Sequence, residues 1–126
     1  MQAIILVGGF GTRLRPLTLS KPKPLVEFCN MHMVEHQIKA LALVGVERVI
    51  LAVSYRPQDM SDFVSMVRTR YQVDVVIAVE PEPLGTGGGV GFSKHLLANG
   101  KPFFCLNSDI TCDFPFKSMI EFHTDR

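Results

Sequence analysis

With 126 residues, 47% of them hydrophobic and 20% charged, the chain has the composition of one soluble globular unit, which excludes a disordered tail. A chain of this size buries roughly two-thirds of its unfolded surface, enough for a single core; its three cysteines, Cys29, Cys105 and Cys112, are too scattered for a disulfide framework or a zinc site and point to a reducing compartment, the cytoplasm. No basic region precedes the first apolar run, no apolar stretch reaches membrane-spanning length, and the net charge is +1, so neither secretion, a membrane nor a nucleic-acid partner is expected.

Residues 2–7 (QAIILV) are a short continuous apolar run that ends in glycines, the pattern of a strand buried on both faces. In the following GGFGTRLRP, glycines let backbone N–H groups approach a polyanion closely, and arginines add fork-shaped, charge-assisted bonds to phosphate oxygens. The loop is not a Walker A motif, having no closing Gly-Lys-Ser/Thr, and Leu14 stands where a dinucleotide fingerprint needs a third small residue. A tight turn after a strand is the plainer alternative. Residues 20–28 (SKPKPLVEF) place two lysines among prolines, so an extended segment is expected, with Lys23 held on a stiff backbone as a point charge or left as a solvated loop lysine. Arg13, Arg15, Lys21 and Lys23 all precede the first acid, Glu27, and make this end of the chain a local anion trap.

The spacing of Val34, Ile38 and Leu41 predicts a helix over 34–44 closed by Gly45. A strand over 48–53 follows, then Pro57 opens a helix over 58–70 with Met60, Phe63, Val64 and Val67 on one face. Residues 74–79 are rich in Val and Ile and predict another strand. The stretch EPEPLGTGGGVGF leads from it into a helix running to Leu97; its backbone edge could hydrogen-bond a purine base, a flexible loop being the alternative. A fourth strand is predicted over 101–106 and delivers Asn107, Ser108 and Asp109 to its end, where a carboxylate can hold Mg²⁺ against a substrate phosphate or simply make an Asx turn. Residues 115–122 read as a short last helix capped by Asp113. The histidines His32, His36, His95 and His123 lack metal-ligand spacing and read as surface or capping residues, and Ser54, Ser108 and Cys105 have no paired base for covalent catalysis.

Strand and helix alternating four times predict parallel βαβ units, hence an α/β sheet with helices on both faces. Ligands of such sheets sit beyond the carboxyl ends of the strands. Residues 8–13, the segment after Val79 and residues 107–109 are therefore expected on one rim.

Taken in order, GGFGTRLRPLT, SKPKPLVEF, EPLGTGG and LNSD resemble the sugar-1-phosphate nucleotidyltransferases across essentially the whole chain. HQIKAL, ILAVSY and FFCLNSDITCDFPF are similar to the branch that transfers GMP from GTP to mannose 1-phosphate and releases pyrophosphate. The resemblance implies a Rossmann-like three-layer fold with a mainly parallel sheet. It implies that Leu6, Gly8 and Gly9 line the base and ribose, that Gly11, Thr12 and Arg13 lie at the triphosphate, and that Gly85 and Thr86 read the guanine. Arg13 and Lys23 would stabilise charge at the α-phosphate and the leaving pyrophosphate, and Asp109 would bind Mg²⁺ with Asn107 nearby. A homo-oligomer, or a complex with a related regulatory subunit, is implied for the full-length protein.

The chain departs from the family pattern at Asn30-Met31-His32, where members tend to have Asn-Lys-Pro, and at Gly87-Gly88-Gly89, where Ala-Gly-Pro is usual. The sugar-binding Glu-Lys-Pro segment, the second metal-binding aspartate and the C-terminal left-handed β-helix domain have no counterpart. Residues 1–126 are accordingly expected to be a truncated, N-terminal part of the nucleotidyltransferase domain. Two rival expectations are a related pyrophosphorylase using UTP with glucose 1-phosphate, and a non-catalytic chain that binds nucleotide or a partner subunit. An oxidoreductase is disfavoured by Leu14 and the basic cluster.

Overall fold

The computed structural model describes residues 1–54, 57–98 and 100–126; Tyr55 of the ILAVSY segment lies outside the described residues. In chain order the elements are β1 (Gln2–Leu6), the short strands β2 (Glu27–Phe28) and β3 (Met31–His32), α1 (Met33–Leu43), β4 (Arg48–Val53), α2 (Ser61–Tyr71), β5 (Asp74–Val79), α3 (Gly85–Phe92), β6 (Phe103–Asn107) and α4 (Phe116–Thr124). β1, β4, β5 and β6 form one parallel sheet in the order β5-β4-β1-β6, with Ile4 opposite both Ile50 and Cys105.

The unbroken apolar runs of β1 and β4 follow from burial on both faces. Ala3, Ile5, Val49, Leu51 and Val53 pack against Val34, Ile38 and Leu41 of α1, Phe63 and Val67 of α2, and Phe116 of α4. Ile4, Ile50 and Ala52, one step out of phase, pack with Val90 of α3 and with Leu96 and Leu97. The expected three-layer α/β arrangement is therefore present.

The order of the strands places the functional rim. The chain moves outward from β1 to β4 to β5 through α1 and α2 on one face, then returns through α3 on the other face and sets β6 on the far side of β1. The direction of winding reverses between β1 and β6, and crevices at the carboxyl ends of parallel strands open at such a reversal.

Several elements differ from expectation. Residues 57–60 form a 3₁₀ turn, and α2 begins only at Ser61 and ends at Tyr71, capped by Gln72, whose φ is +52°. The glycines from Gly85 onward do not lead into a helix but form it, and this helix stops at Phe92; residues 93–96 are a 3₁₀ turn and Leu97 is extended, so the helix expected to run to Leu97 is cut short. Glycine costs about 1 kcal/mol per helical position relative to alanine, so packing must contribute: a Cβ on Gly89 would lie 2.7 Å from Glu80 Oε1 and 3.2 Å from Leu6 Cδ2, and would push both side chains aside where α3 lies against β1. The fourth strand starts at Phe103, after Pro102, and includes Asn107.

Residues 20–28 are not extended throughout. Pro22 is extended, but Pro24, whose ring presets φ near that of a tight turn, sits inside a 3₁₀ turn over Lys23–Leu25. β2 and β3 then pair antiparallel around Cys29 and Asn30, both left-handed with φ of +50° and +60°. Asp113 caps nothing: Pro115 occupies the N-cap of α4 and no side chain bonds there. Two histidines tie down the hairpin: His32 Nδ1, 2.9 Å from Leu25 O, links it to the preceding turn, and His36 Nε2, 2.8 Å from Phe28 O, links it to α1. Among the described residues no helix is long and apolar enough to cross a membrane.

Candidate active site

Beyond β1, Val7 N–H still donates to Ala52 O at 2.9 Å, and then the chain leaves the sheet as a glycine loop. Gly9 and Gly11 are left-handed, with φ of +94° and +64°. Gly11 is also hemmed in: a Cβ there would lie 2.8 Å from Thr18 Cγ2 and 3.2 Å from Lys23 Cβ. Thr18, itself buried, donates from Oγ1 to Gly11 O at 2.8 Å. The segment after the loop thus folds back and sets Lys23 beside the phosphate-loop candidate. Thr12–Leu14 is a 3₁₀ turn, which leaves Arg13 exposed.

A cleft of about 290 Å³ opens at the carboxyl ends of the strands. It is lined by Leu6, Gly8 and Gly9 from β1 and its loop, Ser54 after β4, Glu80, Pro83, Gly85 and Thr86 after β5, Asn107 at the end of β6, and Lys23. The three segments expected on one rim do meet there. Asp109 joins them through Lys23, whose Nζ stands 2.7 Å from Asp109 Oδ2. The lysine side chain is only 19% exposed and the aspartate 36%, so each charge is partly withdrawn from water and held by the other.

The remaining predicted residues lie outside this lining. Gly11, Thr12 and Arg13 belong to the loop that flanks the cleft, and none of them lines it. Lys21 is paired with Glu27 at 3.1 Å on the surface. The N-terminal anion trap is therefore narrower than its four cations suggest: two of them already hold carboxylates, and Lys23 is the one that reaches the cleft.

Side chains that carried no assignment in the sequence shape the site from behind. Glu80 is buried, directly follows β5, and accepts from Leu84 N–H at 3.3 Å through Oε2. Gln37 of α1 is fully buried and donates from Nε2 to Asn107 O at 2.7 Å and Ile110 O at 2.9 Å. Ser108 N–H donates to Leu6 O at 3.2 Å, so the loop carrying Asp109 is pinned from both sides. α1 is in turn fixed to α2 by Glu35, buried, which accepts from Arg70 Nη1 at 2.6 Å and Tyr71 OH at 2.8 Å. Burial works against ionisation of Glu35, but the bonds from Tyr71 and Arg70 outweigh it and hold the carboxyl below its ordinary pKa. Position offered a signal for two of these residues: Glu80 follows a strand as Asp109 does, and Gln37 interrupts the apolar stripe of Val34, Ile38 and Leu41.

Among the described residues no group of three or more His, Cys, Asp or Glu could hold a metal by itself. Mg²⁺ does not need such a cage, since it takes one or two carboxylates and fills its remaining positions with water and substrate phosphate. Asp109, partly open to solvent at the mouth of the crevice, fits that donor set. The cleft as a whole offers side-chain-free backbone, one lysine and one carboxylate, Glu80, with the Asp109 carboxylate reached through Lys23.

The sequence matches the Nucleotidyl transferase family over residues 2–126. It is 55% identical over 123 residues to the mannose-1-phosphate guanylyltransferase catalytic subunit beta of Dictyostelium discoideum, covering 98% of this chain and 34% of that protein. Mannose-1-phosphate guanylyltransferase 1 of Arabidopsis thaliana is 51% identical over 125 residues, covering 98% of this chain and 35% of that protein. HddC from Yersinia pseudotuberculosis complexed with GMP-PN superposes with a TM-score of 0.83 at 31% identity, over 98% of this chain and 54% of that one. The chain spans about a third of the length of the curated relatives it matches and about half that of the solved structure.

Proposed function

The chain belongs to the nucleotidyl transferase family, and from that premise we propose that its crevice is the nucleotide-binding half of a guanylyltransferase site. In the whole catalytic unit, GMP passes from GTP to mannose 1-phosphate, giving GDP-mannose and pyrophosphate. The observation that carries this reading is the convergence of Leu6, Gly8, Gly9, Lys23, Gly85, Thr86 and Asn107 on one cleft. The names of the relatives and the GMP-PN bound to HddC support guanine as the base.

The reaction explains the composition of the site. An oxygen of the sugar phosphate, already anionic, attacks the α-phosphorus; the bond to the bridging oxygen breaks, and pyrophosphate departs with the electron pair. No proton is removed from the nucleophile, so no general base is required. What is required is in-line placement of two mutually repelling anions and relief of charge on the leaving group. Gly8, Gly9 and Gly11 bring backbone to the phosphates, and Lys23, with Arg13 from the flanking turn, offsets charge at the α-phosphate and pyrophosphate. Thr12 lies with them on the phosphate loop.

Leu6 packs against base and ribose while Gly85 and Thr86 present the base-reading edge. The Glu80 carboxylate in the same cleft matches the adjacent N1–H and N2 amino donors of guanine, an edge that uracil lacks. Asp109, with Asn107 beside it, would hold Mg²⁺, which when bound neutralises phosphate charge.

Residues 1–126 are read as the N-terminal part of the nucleotidyltransferase domain. The three free cysteines support a cytoplasmic site of action. The printed name "catalytic subunit beta" of one relative supports assembly with a related regulatory subunit, or as a homo-oligomer, in the whole protein. A second reading, in which this chain binds nucleotide without turning it over, is separated from the first by pyrophosphate release.

Titrating the chain with GTP, ATP and UTP in the presence of Mg²⁺ tests the base assignment. GTP is expected to bind most tightly, and Glu80→Gln to narrow its lead over UTP. A preference for UTP would move the chain to a different pyrophosphorylase. GTP binding without pyrophosphate release, when mannose 1-phosphate is supplied, would select the non-catalytic reading.

A further inference from the structure

We propose that Gln37 is a positioning residue that sets, from inside the core, where the loop 107–110 and its Asp109 carboxylate stand in the crevice. The proposal rests on the reading of that crevice as a site for nucleotide and Mg²⁺. Gln37 is 0% exposed, in a helix whose other inward residues include Val34, Ile38 and Leu41. Its single Nε2 donates to Asn107 O and Ile110 O, carbonyls 70 and 73 residues away in sequence. Two hydrogens of one planar group therefore clamp both ends of the loop, while Ser108 N–H is tied to Leu6 O. Ser108 points into the core at 0% exposure, and Asp109 emerges beside it to meet Lys23.

Filling space does not account for an amide here. Among the described residues Gln37 Oε1 has no protein partner, an arrangement that costs stability in a buried site. An apolar side chain would avoid that cost but would leave two loop carbonyls without their donors. What glutamine supplies, and methionine of similar volume does not, is the pair of N–H groups. Groups standing behind metal ligands fix their orientation, and their loss typically lowers metal affinity about 10- to 100-fold.

Three measurements on the whole chain test the proposal. In Gln37→Met, amide exchange at Ser108 is expected to accelerate at least about tenfold while amides of β4 and β5 keep their rates. GTP affinity in EDTA stays within about twofold of wild type, but the increment that Mg²⁺ adds falls by about tenfold or more. Gln37→Glu, nearly isosteric but with one donor at most once its buried carboxyl is protonated, also lowers the increment, whereas Ile38→Val, equally buried on the same helix with no bond to the loop, keeps it.

In the wild-type chain both side-chain amide hydrogens of Gln37 are expected to be as protected as Ser108 N–H and to shift on addition of GTP with Mg²⁺ but not of GTP with EDTA. This keeps the proposal falsifiable if the variants do not fold. A uniform rise in exchange across the sheet, an unchanged Mg²⁺ increment in Gln37→Met or Gln37→Glu, an equal loss in Ile38→Val, or rapid exchange of the wild-type Gln37 amide overturns it. If Mg²⁺ adds nothing to GTP binding by the wild-type chain, the reading of Asp109 as the metal residue fails. Exchange confined to the loop in Gln37→Met would still uphold the clamp, and its absence would remove it.

Discussion

Gly9 and Gly11 separate two reasons for having no side chain. Both have positive φ, but nothing lies within 4 Å of a Cβ built on Gly9, whereas one on Gly11 collides with Thr18 and crowds Lys23. Gly9→Ala should show backbone strain alone, about 1–3 kcal/mol by thermal unfolding. Gly11→Ala should add displacement of Lys23 and a loss of GTP affinity well beyond that of Gly9→Ala; equal affinities would contradict the placement of Lys23 by this loop. The Lys23–Asp109 pair yields a prediction of opposite signs. Without Mg²⁺, Asp109→Ala removes an anion and frees Lys23, so GTP should bind more tightly than to wild type, while Lys23→Ala leaves an uncompensated carboxylate and should bind more weakly. With Mg²⁺ both should weaken. In the complete enzyme the loss of either is expected to lower turnover by about 10²–10³. Lys23, Asn107 and the loop glycines were legible in the sequence because their chemistry shows in residue type and position after a strand. Thr18 was not, and Gln37 showed only as a polar break in an apolar stripe, because each acts on backbone atoms that only the fold brings near.

At the scale of elements, α3 is the clearest case of packing overriding propensity. Its glycines argue for a loop on local grounds, and the close approach they permit, Gly89 against Leu6, joins segments far apart in sequence. The two kinds of glycine in it predict opposite effects. Gly87, with nothing within 4 Å of a Cβ, should gain about 0.5–1 kcal/mol on substitution by alanine, whereas Gly89→Ala should lose stability and disturb Glu80. Thermal unfolding of both variants checks the signs. The joint between α1 and α2 titrates. Because bonds from Tyr71 and Arg70 hold the Glu35 carboxyl below its unfolded-state pKa, its contribution is present in full above the ordinary carboxylate range and is lost as pH falls through the lowered folded value. The difference in Tm between wild type and Glu35→Gln should therefore narrow with acidification; a difference that holds constant or widens would contradict this.

For the molecule as a whole, the sequence made parallel strands and a shared rim legible, since apolar runs, connection lengths and glycines are local signals. It did not reveal the strand order, which depends on which helix crosses which face, nor the β2–β3 hairpin, whose two-residue strands are too short to show a period. The order matters most, because the reversal between β1 and β6 brings Gly8, Lys23, Asn107 and Asp109 into one crevice. The molecule also has an apolar cleft of about 320 Å³ near the opposite ends of the strands, lined among others by Met1, Phe103 and Met119, which serves as an internal comparison. The most direct test is to map amide shifts on addition of a non-hydrolysable GTP analogue with Mg²⁺. Changes at Gly8, Gly9, Lys23, Gly85, Thr86, Asn107 and Asp109, with Phe103 and Met119 unmoved, are predicted. Changes centred on Phe103 and Met119, or none at the glycine loop, would contradict the assignment of this crevice to the nucleotide.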